Sequence, residues 1–178
     1  NGPLHSAMVI VLSRRPKNEG AHVLAALNTM VGAAMLFASA VLFLGANSFI
    51  KLVGPGLSPE LHQIAVVQLQ VMSPIALLAG LIGLGFGSLN ASNQFWIPAI
   101  SPIMSSLALM VGVGFMWLKV GPSIGGTELA LTGGIVLAAG TLVGAFLQWI
   151  IQIPSLIREG LAKIKFSWNI AHPGVIEV

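Results

Sequence analysis

The sequence predicts an all-α, multispanning transmembrane helix bundle, and three observations carry that prediction. No Lys, Arg, Asp or Glu occurs between Glu60 and Lys119, and none in Gly20 to Ile50 or Leu129 to Ile157. Of the 178 residues, 56% are hydrophobic and 7% charged, against about 25% charged in soluble domains. The mean hydropathy is +0.93. A bilayer core takes roughly 20 apolar residues per spanning helix, so the central run holds two spans and each outer run one.

The elements follow in order within one membrane domain, 1–178. Residues 3–12 are apolar but too short to span, and read as the end of a helix that begins before Asn1. The chain therefore reads as an excerpt of a longer protein, and no signal peptide is evident at its start. Pro16 and Gly20 break the helix within a polar turn that holds Arg14, Arg15, Lys17 and Glu19. The first full span covers about 21–53 and ends at Gly54-Pro55-Gly56. Ser58 then suits an N-cap, Pro59 the first helical position and Glu60 the first turn of a second span, 59–89. Pro74 lies inside that span and kinks it, followed by Gly80, Gly83, Gly85 and Gly87, which allow close helix approach. The polar turn Asn90 to Gln94 leads to a third span, 95–120, with Pro98 and Pro102 in its first turns. Gly121 to Gly126 forms the next turn, and the fourth span covers 127–157. Residues 158–178 are polar and amphipathic, with Arg158, Glu159, Lys163, Lys165, Phe166 and Trp168.

Turns then alternate between two membrane sides. One side receives Arg14, Arg15, Lys17, Arg158, Lys163 and Lys165, the other only Lys51 and Lys119. Positive charge concentrates on the cytoplasmic side, so the first side is assigned there. Trp96, Trp117, Trp149 and Trp168 all fall near span ends, where interfacial Trp collects.

Several functions are excluded by the same residues. The pI near 9.8 comes from eight scattered cations, which make no basic groove for nucleic acid. Cys is absent, so there is no disulfide framework, thiolate metal site or Cys nucleophile. No phosphate loop, His-Glu-x-x-His or Gly-x-Ser-x-Gly motif occurs, and the four His are scattered. Glu60 and His62, two apart on a helix, do not share a face. An enzyme, a cofactor and a metal site are therefore not expected.

Polar side chains inside the spans carry the chemistry that remains. Asn28, Gln68, Gln70, Ser73, Ser88, Gln148 and Gln152 lie where no bilayer water reaches, so each needs a partner or a wet cavity. Gln148 and Gln152 are spaced i,i+4 and share one helix face. Asn28, Gln68, Ser88, Asn90, Gln148 and Gln152 are candidate cavity residues, with interhelical hydrogen bonding as the alternative. Arg14, Arg15 and Lys17 are candidates for the cytoplasmic mouth, where they attract anionic head groups or simply anchor the topology. Pro74, Pro98 and Pro102 are candidate hinges.

The stretch Gly87-Ser88-Leu89-Asn90-Ala91-Ser92-Asn93-Gln94-Phe95-Trp96-Ile97-Pro98-Ala99-Ile100-Ser101-Pro102 is the most specific in the chain. It resembles the Gly-x-Leu-Asn, Phe and Pro-x-x-x-Pro pattern at the junction of the fourth and fifth helices in the MurJ (MviN) family. These are the lipid II flippases of the MOP exporter superfamily. Gly54-Pro55-Gly56-Leu57 is similar to a turn of that family, and Leu147-Gln148 with Pro154-Ser155-Leu156 and Gly160 resembles the end of its sixth helix. Asn1-Gly2-Pro3-Leu4 stands where the family opens its second helix with Glu-Gly, so Asn1 departs from the pattern.

The resemblance covers the whole chain but only about helices two to six of a longer array. It implies part of the N-terminal lobe of a two-lobed transporter in the bacterial inner membrane. The implied activity is transfer of undecaprenyl-pyrophosphate-linked disaccharide-pentapeptide to the outer leaflet by alternating access, for cell-wall biosynthesis. Lipid II and membrane lipids are the implied partners, no nucleic acid is expected, and no span holds an acid that identifies a coupling ion. The family's substrate-binding cations fall outside this chain, and Arg14 and Arg15 are not their counterparts. The alternatives are another exporter of the same superfamily and a non-transporting membrane scaffold.

Overall fold

The computed structural model describes residues 17–120 and 127–161, with side chains over 24–119 and 131–161. Among these residues the fold is entirely helical: α1 (Lys17–Val53), α2 (Pro59–Met72), α3 (Ile75–Ala91), α4 (Trp96–Val120), α5 (Thr127–Ile150) and α6 (Ile153–Arg158). They make four helices long and apolar enough to cross a membrane, Leu24–Val53, Pro59–Ala91, Trp96–Lys119 and Leu131–Arg158. The apolar segment 3–12, the turn 121–126 and the tail from 162, with Trp168, lie outside the described residues.

The second span begins as its sequence dictates. Ser58 is the N-cap, its hydroxyl accepting from the Leu61 amide at 3.4 Å, with Pro59 opening the helix and Glu60 in the first turn. It does not continue unbroken to its end, because Pro74 has no N–H for the Gln70 carbonyl. That carbonyl is taken over by Ser73, through its hydroxyl at 2.9 Å and its amide at 3.3 Å. Pro102 frees the Pro98 carbonyl in the same way, and the Ser101 hydroxyl donates to it at 3.4 Å. There the helix runs on through the proline. A serine placed directly before each proline thus answers the carbonyl that the ring strands, inside a solvent that offers no water.

The fourth span is likewise two helices rather than one. Pro154 disfavours helical geometry at the residue before it and removes the bond to Ile150. The chain breaks at Ile151-Gln152, where the Gln152 amide turns to the Trp149 carbonyl at 3.2 Å. Its side-chain amide donates to the Gln148 carbonyl instead, at 2.9 Å.

Both turns at the Arg158 end close with the same cap. After α3, Asn93 adopts φ 59°, and the Gln94 amide reaches back to the Leu89 carbonyl at 2.8 Å and the Asn93 amide to Asn90 at 3.0 Å. After α6, Gly160 at φ 73° allows the Leu161 amide to reach Leu156 at 2.9 Å and the Gly160 amide to reach Ile157 at 3.0 Å. These are Schellman motifs, which satisfy the last helix carbonyls through one left-handed residue.

The first and second spans pack as antiparallel neighbours, α1 against α2 and α3, as do the third and fourth, α4 chiefly against α5; α5 also packs against α2 and α3, which run parallel to it. Lipid tails are as apolar as Leu, so close packing and polar bonds rather than hydrophobic burial hold such a bundle. The α4–α5 contact shows this most plainly. A Cβ on Gly144 would stand 2.7 Å from the Ser105 Cα, and one on Gly140 3.7 Å from the Leu109 Cα. Gly140 and Gly144 form the small-xxx-small notch into which α4 settles.

Packing is densest toward the Arg158 end. Leu24, Ala26 and Leu27 of α1, Leu84 of α3 and Leu161 form one buried cluster, with Leu156 packed against it. Leu78, Ile82 and Ala145 form a second, flanked by Phe86 and Trp149. Toward the Lys51 end Leu44, Leu52, Val53, Trp117 and Leu118 are exposed, as lipid-facing residues of a spanning bundle would be.

Candidate functional site

The polar side chains inside the spans separate by burial into two groups. Ser88 and Gln152 are fully buried, whereas Gln68 and Gln148 are partly exposed and Asn28 is exposed. Asn28 projects from α1 directly after the buried run Leu24 to Leu27, so it points away from that core.

Ser88 donates its hydroxyl to the Leu84 carbonyl of its own helix at 2.7 Å. Gln152 holds the Gln148 carbonyl through its amide nitrogen, while its Oε1 is buried with no hydrogen-bond partner. That oxygen lies against Gly85 of α3, where a Cβ would collide with it. The packing is too close there for a water between them. The glycine's missing side chain is therefore what lets α3 accept the amide at the α5–α6 break.

Gln148 and Gln152 were expected on one helix face. α5 ends at Ile150, so the pair straddles the break at Ile151-Gln152, with Gln152 itself still in helical backbone geometry. The two remain joined through the Gln148 carbonyl, but their side chains serve different neighbours. Gln148 Oε1 accepts from the Ser105 hydroxyl of α4 at 3.0 Å. Gln68 of α2 rests its amide on Gly134 of α5, again at a position where a Cβ would collide. Gln70 of α2 donates to the Phe43 carbonyl of α1 at 3.4 Å.

Asn90 lies in the last turn of α3 and is half-buried. Its neighbour Gln94 donates its side-chain amide to Glu159 Oε1 at 3.1 Å, joining the α3–α4 turn to the end of α6. Of the mouth residues, Arg14 and Arg15 lie outside the described residues, and Lys17 opens α1. Pro98 is buried near the start of α4 and Pro102 lies inside it, whereas Pro74 separates two helices. Among the described residues no three His, Cys, Asp or Glu converge as a metal site would require.

Sequence reading had not singled out Ser105, Gly134, Gly140, Gly144 or Ser39. The Gly140-x-x-x-Gly144 spacing was a readable signal of close helix contact. The partners of Ser105 and Ser39 lie far along the chain, and no local pattern announces them.

Comparison with known proteins places this arrangement. The family described as "Lipid II flippase MurJ" matches residues 1–178. A probable lipid II flippase MurJ of Synechocystis sp. is 45% identical over all of this chain, which covers 33% of that relative. The lipid II flippase MurJ of Burkholderia cenocepacia is 26% identical over 99% of the chain, covering 34% of its own length. A probable lipid II flippase MurJ of Buchnera aphidicola from Acyrthosiphon pisum is 30% identical over 80% of the chain. The chain thus spans 27–34% of the length of these curated relatives.

Proposed function

The chain belongs to the MurJ lipid II flippase family, and from that membership we propose that the protein containing it carries lipid II from the inner to the outer leaflet of a bacterial inner membrane. The observation that carries this reading is the match over the whole chain, to a family model and to a 45% identical relative named for that transport. The chemistry of the spans agrees with it. Transport of this kind makes and breaks no covalent bond, so the protein needs polar surface within the bilayer rather than a catalytic group.

Alternating access takes the pyrophosphate, sugars and peptide of the substrate into a wet cavity while the lipid tail stays in hydrocarbon. Asn28, Gln68 and Gln148, with polar groups that are not wholly enclosed, line that cavity in this reading. Ser88 and Gln152, fully buried, serve helix packing beside it. Arg14, Arg15 and Lys17 draw anionic head groups to the cytoplasmic mouth. With six of eight cations on its side, the Arg158 end is cytoplasmic and the Lys51 end faces outward.

The test is growth of a bacterium depleted of its own lipid II flippase and supplied with the complete protein, with insertion checked by immunoblot. Rescue supports lipid II as the substrate. Failure despite full insertion moves the assignment to another lipid-linked glycan or a small molecule.

A further inference from the structure

Three prolines were candidate hinges, and the structure distinguishes them. α4 runs on through Pro102, and Pro98 is buried near its start, so neither divides a helix. Pro74 does divide one. Between α2 and α3 one backbone hydrogen bond crosses the proline, from the Ala76 amide to the Ser73 carbonyl at 3.2 Å. A continuous helix carries about four bonds across any one peptide.

The groups on either side of the break are satisfied independently. On the α2 side, Ser73 caps the Gln70 carbonyl within its own turn. On the α3 side, the Leu77 amide would normally donate to Ser73. It donates instead to the hydroxyl of Ser39, a buried residue of α1, at 3.2 Å. The two halves also differ in packing. None of the 14 residues of α2 is buried, whereas eight of the 17 in α3 are. α3 sits in both buried clusters. α2 packs against both α1 and α5, with one long hydrogen bond to α1, Gln70 to the Phe43 carbonyl at 3.4 Å, and with Gln68 resting on Gly134 of α5.

We propose that α2 is the moving half of its span, an outward-side gate that pivots at Ser73-Pro74 while α3 stays fixed, and that Ser39 latches the pivot in the state seen here. The proposal rests on the transport reading only for what the gate admits and releases. The motion itself follows from a half-span that is self-capped, holds no fully buried residue and is joined to its other half by one backbone bond across Ser73-Pro74. Ser39 is a positioning residue in this scheme: it holds the first free amide of α3 and so fixes where the hinge axis lies. When α2 swings, Gln68 leaves Gly134 and opens the seam between α2 and α5.

Spin-label distances in the complete protein test this, because the chain has no Cys and labels within it are unique. Other cysteines of the complete protein are first replaced. One pair, Leu61→Cys with Leu131→Cys, reports α2 against α5 at exposed positions near the Lys51 end. A second, Ala79→Cys with Phe146→Cys, reports α3 against α5 at exposed positions. The expected result is two distances for the first pair and one for the second. Ser39→Ala removes one hydrogen bond and raises the swung population roughly three- to tenfold, while Pro74→Ala leaves a single distance.

A first pair that shows one distance, unchanged by Ser39→Ala, overturns the proposal. So does movement of both pairs together, which is the signature of a rigid lobe. Growth rescue by the same variants separates the two readings: a static α2 in a protein that rescues sinks the gate alone. A moving α2 in a well-inserted protein that does not rescue sinks the substrate alone.

Discussion

The side chain of Gln94 donates to Glu159 Oε1 at 3.1 Å, and these two residues belong to the two Schellman caps at the Arg158 end of the bundle. Gln94 supplies the amide that closes the cap of α3, and Glu159 is the C-cap of α6. A single bond between caps therefore ties the turn after the second span to the end of the fourth. Leu161, set by the second cap, is buried with Leu24 and Leu84. The buried cluster thus closes this end, while large apolar side chains stay exposed toward the other.

That tie has a measurable worth. Gln94→Ala and Glu159→Ala should each lower the melting temperature of the purified protein, and the double variant should lose less than their sum. The coupling expected for a partly exposed hydrogen bond is about 1 kcal/mol. Additive losses would show that the bond contributes nothing and that the caps stand alone.

Glycine at the helix contacts is tested by adding one methyl group. Gly144→Ala drives a Cβ to 2.7 Å from the Ser105 Cα, and backbone cannot step aside as a side chain can. Overpacking of this kind costs about 1–3 kcal/mol, so the variant should melt earlier and insert less well. Gly114 is exposed and has nothing within 4 Å of its Cβ position. Gly114→Ala should leave stability unchanged or raise it by up to about 1 kcal/mol through helix propensity. Equal effects at the two sites would rule out the close α4–α5 contact.

Gln152 separates polarity from shape. It is fully buried, with one amide group bonded to the Gln148 carbonyl and Oε1 unpartnered against Gly85. Gln152→Met keeps the volume, loses the bond to Gln148 and removes the orphan oxygen, so the two changes offset to within about 1 kcal/mol. Gln152→Glu places an acid at a fully buried position whose carboxamide oxygen has no hydrogen-bond partner, at a cost of several kcal/mol, on the order of a buried unpaired polar group or more. Thermal melts of both variants check the order; a glutamate as stable as the methionine would mean that the site is wet.

The spans were legible because charge exclusion is a property of each residue in turn. The Ser58 cap was legible because Ser, Pro and Glu stand at fixed offsets from a helix start. The break at Gln152 was missed although Pro154 was visible, since i,i+4 spacing between two glutamines suggested a shared face and hid the effect of the proline before the second turn. The cap at Asn93 depends on a positive φ, which Asn tolerates but does not announce. Ser39 and Leu77, or Ser105 and Gln148, meet across helices at sequence separations of 38 and 43. Such pairs are products of packing, and one sequence contains no local record of them.

The proposed cavity makes the sharpest demand on individual side chains, because exposure in a bilayer protein means contact with lipid or with water, and only one of these supports a thiolate. A Cys in hydrocarbon stays protonated and unreactive, whereas a Cys in a hydrated cleft ionises and couples to a charged, membrane-impermeant thiol reagent. Single Cys substitutions at Asn28, Gln68 and Gln148 should therefore label, while those at Ser88 and Gln152 should not, since both positions are fully buried. Saturating lipid II should slow labelling at Asn28, the exposed one of the three, by at least severalfold, on the order of a 1 kcal/mol occlusion. Labelling from the outward face should also rise at Gln68 in the Ser39→Ala background, because that residue leaves Gly134 when α2 moves. Complete protection at all five positions would place Asn28 against lipid and make the polar residues of these spans structural, which is the behaviour of a scaffold rather than a transporter.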